Sequence, residues 1–109
     1  MKNIEKKEQE ISKLNKEVSE ALSNLVHDRS TENLKKYESI VAERNKQNSE
    51  LYGLYRTKWE DLRTQWIICA NDDMMVGELL RKFDSDFNDT LHFGGTRAFL
   101  EIFANLLSS

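Results

Sequence analysis

The chain has 109 residues, a formal net charge of −3, 39% hydrophobic and 32% charged residues, no proline and one cysteine. This length suits one domain, and the balance of apolar and charged residues excludes a disordered tail. No apolar run reaches the ~18–20 residues of a membrane span. The N-terminal segment lacks the apolar part of a signal peptide, and a lone Cys69 excludes an internal disulfide. We therefore expect a single domain, 1–109, in the cytoplasm and with no membrane partner.

The first predicted helix covers residues 3–27. Its apolar residues follow a heptad pattern, with one row formed by Ile4, Ile11, Val18 and Leu25 and a second row formed by Leu14 and Ala21. Lys7 interrupts the second row, and charged residues fill most other positions, so the helix buries one side. Ser30 and Thr31 follow as candidate N-caps, which predicts a turn at about residues 28–31.

The second predicted helix begins near Thr31 and runs to about residue 70, roughly 60 Å at 1.5 Å per residue. A kink at Gly53 is the alternative. Its apolar residues recur every three or four positions, so a hairpin folded near residue 29 sets Val18 beside Val41. Asn48 falls in the same seam, where a buried amide fixes the register of the two helices. An open, hydrated seam position is the alternative for Asn48.

The second half of this helix carries large aromatic side chains, from Tyr52 to Trp66. The apolar run 66–70 is expected to be buried on all sides, with Cys69 as an inert buried thiol. Asn71, Asp72 and Asp73 then end the helix and cap the next one.

A third helix places Leu79, Phe83 and Phe87 on one face and ends before Gly94 and Gly95, because glycine takes the left-handed conformation of a helix end. Thr96 caps a fourth helix that is apolar on most of its circumference and therefore needs cover. Together these elements predict an all-α fold. A long, coiled-coil-like N-terminal hairpin (1–51) continues into a small four-helix bundle with an aromatic-rich core (52–109).

The histidines and the cysteine do not form a pattern that supports catalysis. His27 and His92 are far apart, and neither has the spacing to Cys69 or to a serine that a nucleophilic site requires. We expect both histidines at helix C-termini, where positive charge is favourable. The sequence predicts no enzymatic activity and no cofactor.

Metal and nucleic-acid binding are disfavoured for separate reasons. Asp84, Asp86 and Asn88 have the spacing of the first EF-hand ligands, but Asp89 and Gly95 stand where the loop needs its glycine and its bidentate glutamate. Residues 52–109 carry six basic and nine acidic side chains, and the ten basic and ten acidic ones of 1–51 are interspersed. Direct nucleic-acid binding needs a clustered basic face instead.

The predicted shape favours association. A long hairpin and an aromatic stripe create surface rather than a pocket, so we expect a non-enzymatic protein–protein interaction module, such as a small bacterial or phage regulator, inhibitor or adaptor that occludes or bridges a larger partner. One alternative is a homodimer or larger structural homo-oligomer, with a four-helix bundle formed through Leu14, Val18, Val41 and Leu51. A second alternative is a small-ligand or metal binder in the C-terminal core.

Two sets of residues are candidates for partner contact. The first is the aromatic set nearest the hairpin, Tyr52, Tyr55 and Trp59, because tyrosine and tryptophan most often anchor interfaces. Trp59→Ala would then change the stability by no more than ~1 kcal/mol and weaken partner binding by ~2 kcal/mol or more. The second is an acidic face of the third helix, formed by Asp84, Asp86 and Asp89; Trp66 is assigned to the core.

Overall fold

The computed structural model describes residues 1–70 and 73–108, and within this part of the chain all regular structure is helical. The helices are α1 (Lys2–His27), α2 (Thr31–Cys69), α3 (Asp73–Phe93) and α4 (Thr96–Ser108). The predicted all-α hairpin and bundle is confirmed. The predicted helix stop at Asn71 and Asp72 lies outside the described residues.

The chain divides into two compact units, Met1–Leu51 and Tyr52–Ser109, and α2 contributes to both. We call them unit 1 and unit 2. The helix α2 continues through Gly53, a point that the sequence left open. The folding of 1–109 as a single domain stays a prediction.

Unit 1 is the predicted helical hairpin. The turn lies at Asp28–Ser30, where the Ser30 hydroxyl oxygen accepts a hydrogen bond from the Asn33 amide at 3.1 Å and so caps α2. The Asn33 side-chain amide donates to the Asp28 carbonyl at 2.9 Å, which fixes the chain that leaves α1. The buried side of α1 consists of Ile4, Ile11, Val18 and Ala21. The heptad pattern therefore identified the buried face of α1.

Lys7 interrupts the apolar row of α1 but has polar partners on α2. Its ammonium group lies 2.6 Å from Gln47 Oε1 and 2.8 Å from Glu50 Oε2, and Glu10 Oε2 is 3.8 Å away. The hydrogen bond that Lys7 donates to Glu50 raises the pKa of Lys7, and the same bond lowers the pKa of Glu50. Asn48 is half-buried. Polar residues therefore join the two helices toward the end of the hairpin opposite the turn.

Unit 2 is built from the second half of α2 together with α3 and α4. The two glycines between α3 and α4 have φ of +99° and +84°, the conformation predicted for them. Gly94 donates from its amide to the Thr90 carbonyl at 2.8 Å and so closes α3. Thr96 is the first residue of α4 rather than its cap: the preceding Gly95 carbonyl accepts the hydrogen bond from the Phe99 amide at 3.0 Å.

Two predictions about burial in unit 2 are wrong. The run 66–70 is not buried on all sides, because Ile67, Ile68 and Cys69 are exposed and Trp66 is half-buried. Four consecutive helical residues point in four directions, and only the Trp66 direction faces the other helices of the unit. The apolar α4 is also covered on one side only: Leu100 and Phe103 are buried, whereas Ile102 and Leu106 are exposed.

Candidate functional site

The aromatic residues of unit 2 form one cluster with Trp59 at its centre. Ring-centroid distances from Trp59 are 5.4 Å to Phe87, 5.4 Å to Phe99 and 5.0 Å to Phe103. Phe83 extends the cluster, with its ring 5.1 Å from Phe103 and 5.3 Å from Trp66. Since these rings come from all three helices of the unit, the cluster is the core that holds unit 2 together.

Asp84 is the hydrogen-bond partner of the central tryptophan of this core. Its carboxylate accepts a hydrogen bond from Trp59 Nε1 at 2.9 Å and two-pronged contacts from the Arg63 guanidinium, at 3.0 and 3.1 Å. The indole therefore keeps its only polar group satisfied while its rings are buried. Asp84 connects α3 to α2 and has a structural role.

Two of the three predicted partner-binding aromatics are buried. Trp59 is 5% exposed and Tyr55 is buried as well, so the expected exposure of these two rings is wrong. The stripe was identified correctly, since Tyr52, Tyr55 and Trp59 follow one another at helical spacing, but two other helices cover Trp59. Tyr52 is 42% exposed and stays a predicted partner contact.

The predicted acidic face of α3 is not a single face. Asp84 faces α2, whereas Asp86 is half-buried and Asp89 is exposed. Residues two positions apart on an α-helix lie about 200° apart around its axis, which separates Asp84 from Asp86. Sequence proximity of three acidic residues was therefore a poor guide to their placement.

The EF-hand spacing does not correspond to a loop. Asp84 to Phe93 all lie within α3, where backbone hydrogen bonding holds the carboxylates apart. In the part of the chain that the structure describes, no group of three or more His, Cys, Asp and Glu side chains is arranged to hold a metal ion. His27 and His92 lie in the last turns of α1 and α3, as predicted.

A surface that the sequence analysis missed lies on unit 2. We call it the apolar end; it consists of Ile67, Ile68, Met75, Ile102 and Leu106, all exposed. Ile68 is 77%, Ile102 62% and Leu106 66% exposed. Its members come from three helices: Ile67 and Ile68 from α2, Met75 from α3, and Ile102 and Leu106 from α4. Ile102 and Leu106, four residues apart, share one face of α4, whereas Ile68 lies about 200° around α2 from Trp66 and faces away from the core.

Unit 1 exposes apolar side chains near its turn. Leu22, Val26 and Leu34 are exposed, and the last two line a groove of about 420 Å³ together with Leu25 and the turn residues. In contrast, Val18 and Leu51 are buried in this chain, so the predicted seam is unavailable as a surface for a homo-oligomer at these two positions.

No protein-family model, curated protein or solved structure matches the chain. Among the described helices, none combines the length and the apolar character that crossing a membrane requires.

Proposed function

We propose that the protein is a non-enzymatic protein–protein interaction module and that the apolar end of unit 2 binds its partner, which it occludes or bridges to another protein. The observation that carries the proposal is the exposure of Ile68, Ile102 and Leu106. Neighbouring exposed apolar side chains mark interaction sites more often than scattered single residues do, and Ile102 and Leu106 are neighbours on one face of α4.

The size of these exposed apolar side chains supports the proposal. Full burial of one isoleucine or leucine side chain contributes about 1.5–3 kcal/mol. Three such side chains therefore supply several kcal/mol to a complex, although the ordering of the partners offsets part of this gain.

Tyr52 is the remaining aromatic candidate for a second contact. Its ring lies 6.3 Å from that of Tyr55, which packs beside it. A partly exposed ring on a buried neighbour is typical of an interface anchor.

The test uses two charge substitutions in the apolar end. Ile68→Glu with Ile102→Glu places carboxylates in the proposed contact, and Ser85→Glu with Asn88→Glu adds the same two charges at exposed positions of α3 as a matched control. Each tagged protein is used to capture partners from a lysate of the source organism, and quantitative mass spectrometry compares the proteins bound.

We expect the wild type and the control to capture the same protein and the Ile68/Ile102 variant to lose it. Once that protein is purified, its dissociation constant from the Ile68/Ile102 variant should be about tenfold or more above its dissociation constant from the wild type. Equal affinity of both variants for the purified partner would place the binding site elsewhere. Matching far-ultraviolet circular dichroism melts show that the variants are folded.

A further inference from the structure

Lys7 of α1 is held by two acceptors of α2 at the end of the hairpin opposite the turn. Its ammonium group lies 2.6 Å from Gln47 Oε1 and 2.8 Å from Glu50 Oε2, and its side chain is 19% exposed. Gln47 and Glu50 are three residues apart, so they are neighbours on one side of α2. Because hydrogen bonds need short distances and suitable angles, a cation bonded to both acceptors has little freedom to move along α2 or around it.

The apolar contacts of the hairpin define the arrangement of the two helices less sharply. Ile4 and Ile11 belong to one apolar row of α1, and Leu14 and Ala21 belong to the second row, which Lys7 interrupts. The two rows are only about 50° apart around the helix. Ile4 and Ile11 are buried, and Leu14 is half-buried. Since apolar burial is non-directional, a small rotation of α1 that buries Leu14 further and Ile4 less changes the total burial little.

The turn holds only one end of α1 against such a rotation. Its side-chain hydrogen bonds join Asn33 to Ser30 and to Asp28. Lys7 lies about 30 Å along the helix from Asp28. A rotation of about 50°, spread over the roughly 20 residues between them, is about 2–3° per residue, which is small beside the ordinary scatter of helical dihedral angles. The N-terminal part of α1 therefore needs a fixing point of its own.

We propose that Lys7, bonded to Gln47 and Glu50, selects the rotation of α1 in which Ile4 and Ile11 face α2 and excludes the rotation that turns Leu14 inward. The proposal concerns unit 1 and goes beyond the proposed function, which rests on unit 2. It gives Lys7 the arrangement-fixing role that the sequence suggested for Asn48.

The position of Lys7 in the second row explains how the other rotation is excluded. A rotation that brings Leu14 inward also carries Lys7 toward the seam, because the two residues are seven apart on one side of α1. The ammonium group then moves away from Gln47 and Glu50. A charge that is buried without its hydrogen-bond partners is strongly disfavoured, so the rotated arrangement is not populated.

This selection does not require Lys7 to add stability. Replacing a buried charge with an apolar side chain is often neutral or stabilising, provided that its former partner is not left buried and unpaired. Glu50 is 45% exposed, so water solvates its carboxylate when Lys7 is absent. Lys7→Leu also completes the second apolar row. We therefore expect its urea midpoint to be equal to or above that of the wild type.

Lys7→Leu in the full chain tests the proposal by ¹H–¹⁵N correlation spectra. The wild type should give one sharp resonance for each amide of residues 3–14. Lys7→Leu should admit both rotations of α1, so these resonances should split into two sets or broaden through exchange in the microsecond-to-millisecond range. Spectra at two protein concentrations separate this exchange from self-association, and urea denaturation supplies the midpoint.

Two variants are the controls. Lys16→Leu makes the same substitution at an exposed position of α1 and should keep single sharp resonances. Lys7→Arg retains a cation with several hydrogen-bond donors and should also keep them. Splitting in Lys16→Leu would contradict the assignment of this role to Lys7.

Two results for Lys7→Leu overturn the proposal. Single sharp resonances for residues 3–14 would show that α1 keeps its rotation without Lys7. A urea midpoint below that of the wild type would show that Lys7 stabilises the hairpin instead of selecting between two arrangements of similar stability. Neither result involves the apolar end or a partner protein, so failure here is separable from failure of the proposed function.

Discussion

At the scale of single residues, Trp59 combines ring contacts to two other helices with a hydrogen bond to a carboxylate of α3, that of Asp84. Its rings contact Phe87, Phe99 and Phe103, and its indole N–H is bonded to Asp84. These contacts tie α2 to α3 and α4 through one side chain. The burial of Trp59 therefore favours a role in stability.

We predict that Trp59→Ala lowers the free energy of unfolding by about 3–5 kcal/mol, because it leaves a cavity at the centre of the aromatic cluster and removes a hydrogen-bond donor from Asp84. Urea denaturation followed by circular dichroism measures the change. Tyr52→Ala, which truncates a partly exposed ring on the same helix, is the control and should cost less than about 1.5 kcal/mol. Equal losses for the two variants would contradict the central role of Trp59.

A second residue-scale prediction concerns the bond between Lys7 and Glu50. Since the pKa of Glu50 is lowered, its contribution to stability is present above its ordinary value of 4.5 and is lost as the pH falls through the folded-state pKa. The raised pKa of Lys7 makes its contribution complete below its ordinary value of 10.5, and this is lost at still higher pH.

Glu50→Gln should therefore lower the melting temperature near pH 7, and the effect should shrink as the pH falls toward 3 through the lowered pKa of Glu50. Thermal melts of wild type and variant across this range measure the difference. Glu20→Gln removes an exposed carboxylate of α1 and controls for net charge. A difference that persists unchanged at pH 3 would show that the charge of Glu50 is not its cause.

At the scale of elements, α2 contains a glycine that has no steric role. A Cβ added at Gly53 meets no atom within 4 Å, and the residue lies inside a continuous helix. Gly94 is also unobstructed, but its φ of +99° is one that residues with a side chain rarely adopt.

We predict that Gly53→Ala raises the free energy of unfolding by about 0.8–1 kcal/mol, through the higher helix propensity of alanine. Gly94→Ala should lower it by about 1–2 kcal/mol, because alanine is strained in the left-handed region. Chemical denaturation of the two variants measures both effects. Stabilisation by both substitutions, or by neither, would contradict this account of the two glycines.

The helices and their boundaries could be predicted from the sequence because their signals are local. The heptads of α1, the hydroxyl of Ser30 and the paired glycines after Phe93 each act within a few residues of where they stand. Burial could not be predicted in the same way. In the sequence, an apolar residue such as Ile68 or Ile102 cannot be distinguished from a core residue. Its exposure depends on whether a helix distant in sequence covers the side of the helix on which it lies.

The candidate site was harder to predict for the same reason. Trp59 and Tyr52 have similar sequence surroundings, but α3 and α4 cover one and leave the other partly open. Asp84 looked like one of three solvated acids, and its partners Trp59 and Arg63 lie more than twenty positions earlier in the chain. Non-local contacts, rather than residue type, separate the structural members of these sets from the exposed ones.

At the scale of the whole molecule, α2 is the covalent and helical link between unit 1 and unit 2. The chain stays helical across the boundary between Leu51 and Tyr52. Helix formation is cooperative along the chain, so loss of the first half of α2 exposes an uncapped helix end in unit 2. This continuity is the physical basis for predicting that 1–109 unfolds as a single domain.

We predict that Val18→Asp, which places a carboxylate at a buried position of unit 1, lowers the unfolding midpoint of both units together. Both tryptophans belong to unit 2, so their fluorescence reports that unit, whereas circular dichroism reports all the helices. The two midpoints should fall by the same amount, and the free energy of unfolding should fall by more than about 2 kcal/mol.

Gln9→Asp adds a carboxylate at an exposed position of α1 and is the control. It should change the free energy of unfolding by no more than about 0.5 kcal/mol, whichever signal is followed. If Val18→Asp abolishes part of the helical signal while the fluorescence midpoint stays where it was, the two units unfold independently and the chain has two domains.

The short turns that join successive helices also govern how fast the chain reaches this structure. Asp28–Ser30 and Gly94–Gly95 each connect elements that are neighbours in sequence, and closing such short loops takes well under a millisecond. The chain has no proline, so no slow isomerisation of a prolyl bond can delay refolding. Refolding from denaturant should therefore finish within milliseconds in a single kinetic phase, which gives the chain little time as an unfolded, protease-sensitive species after synthesis or stress.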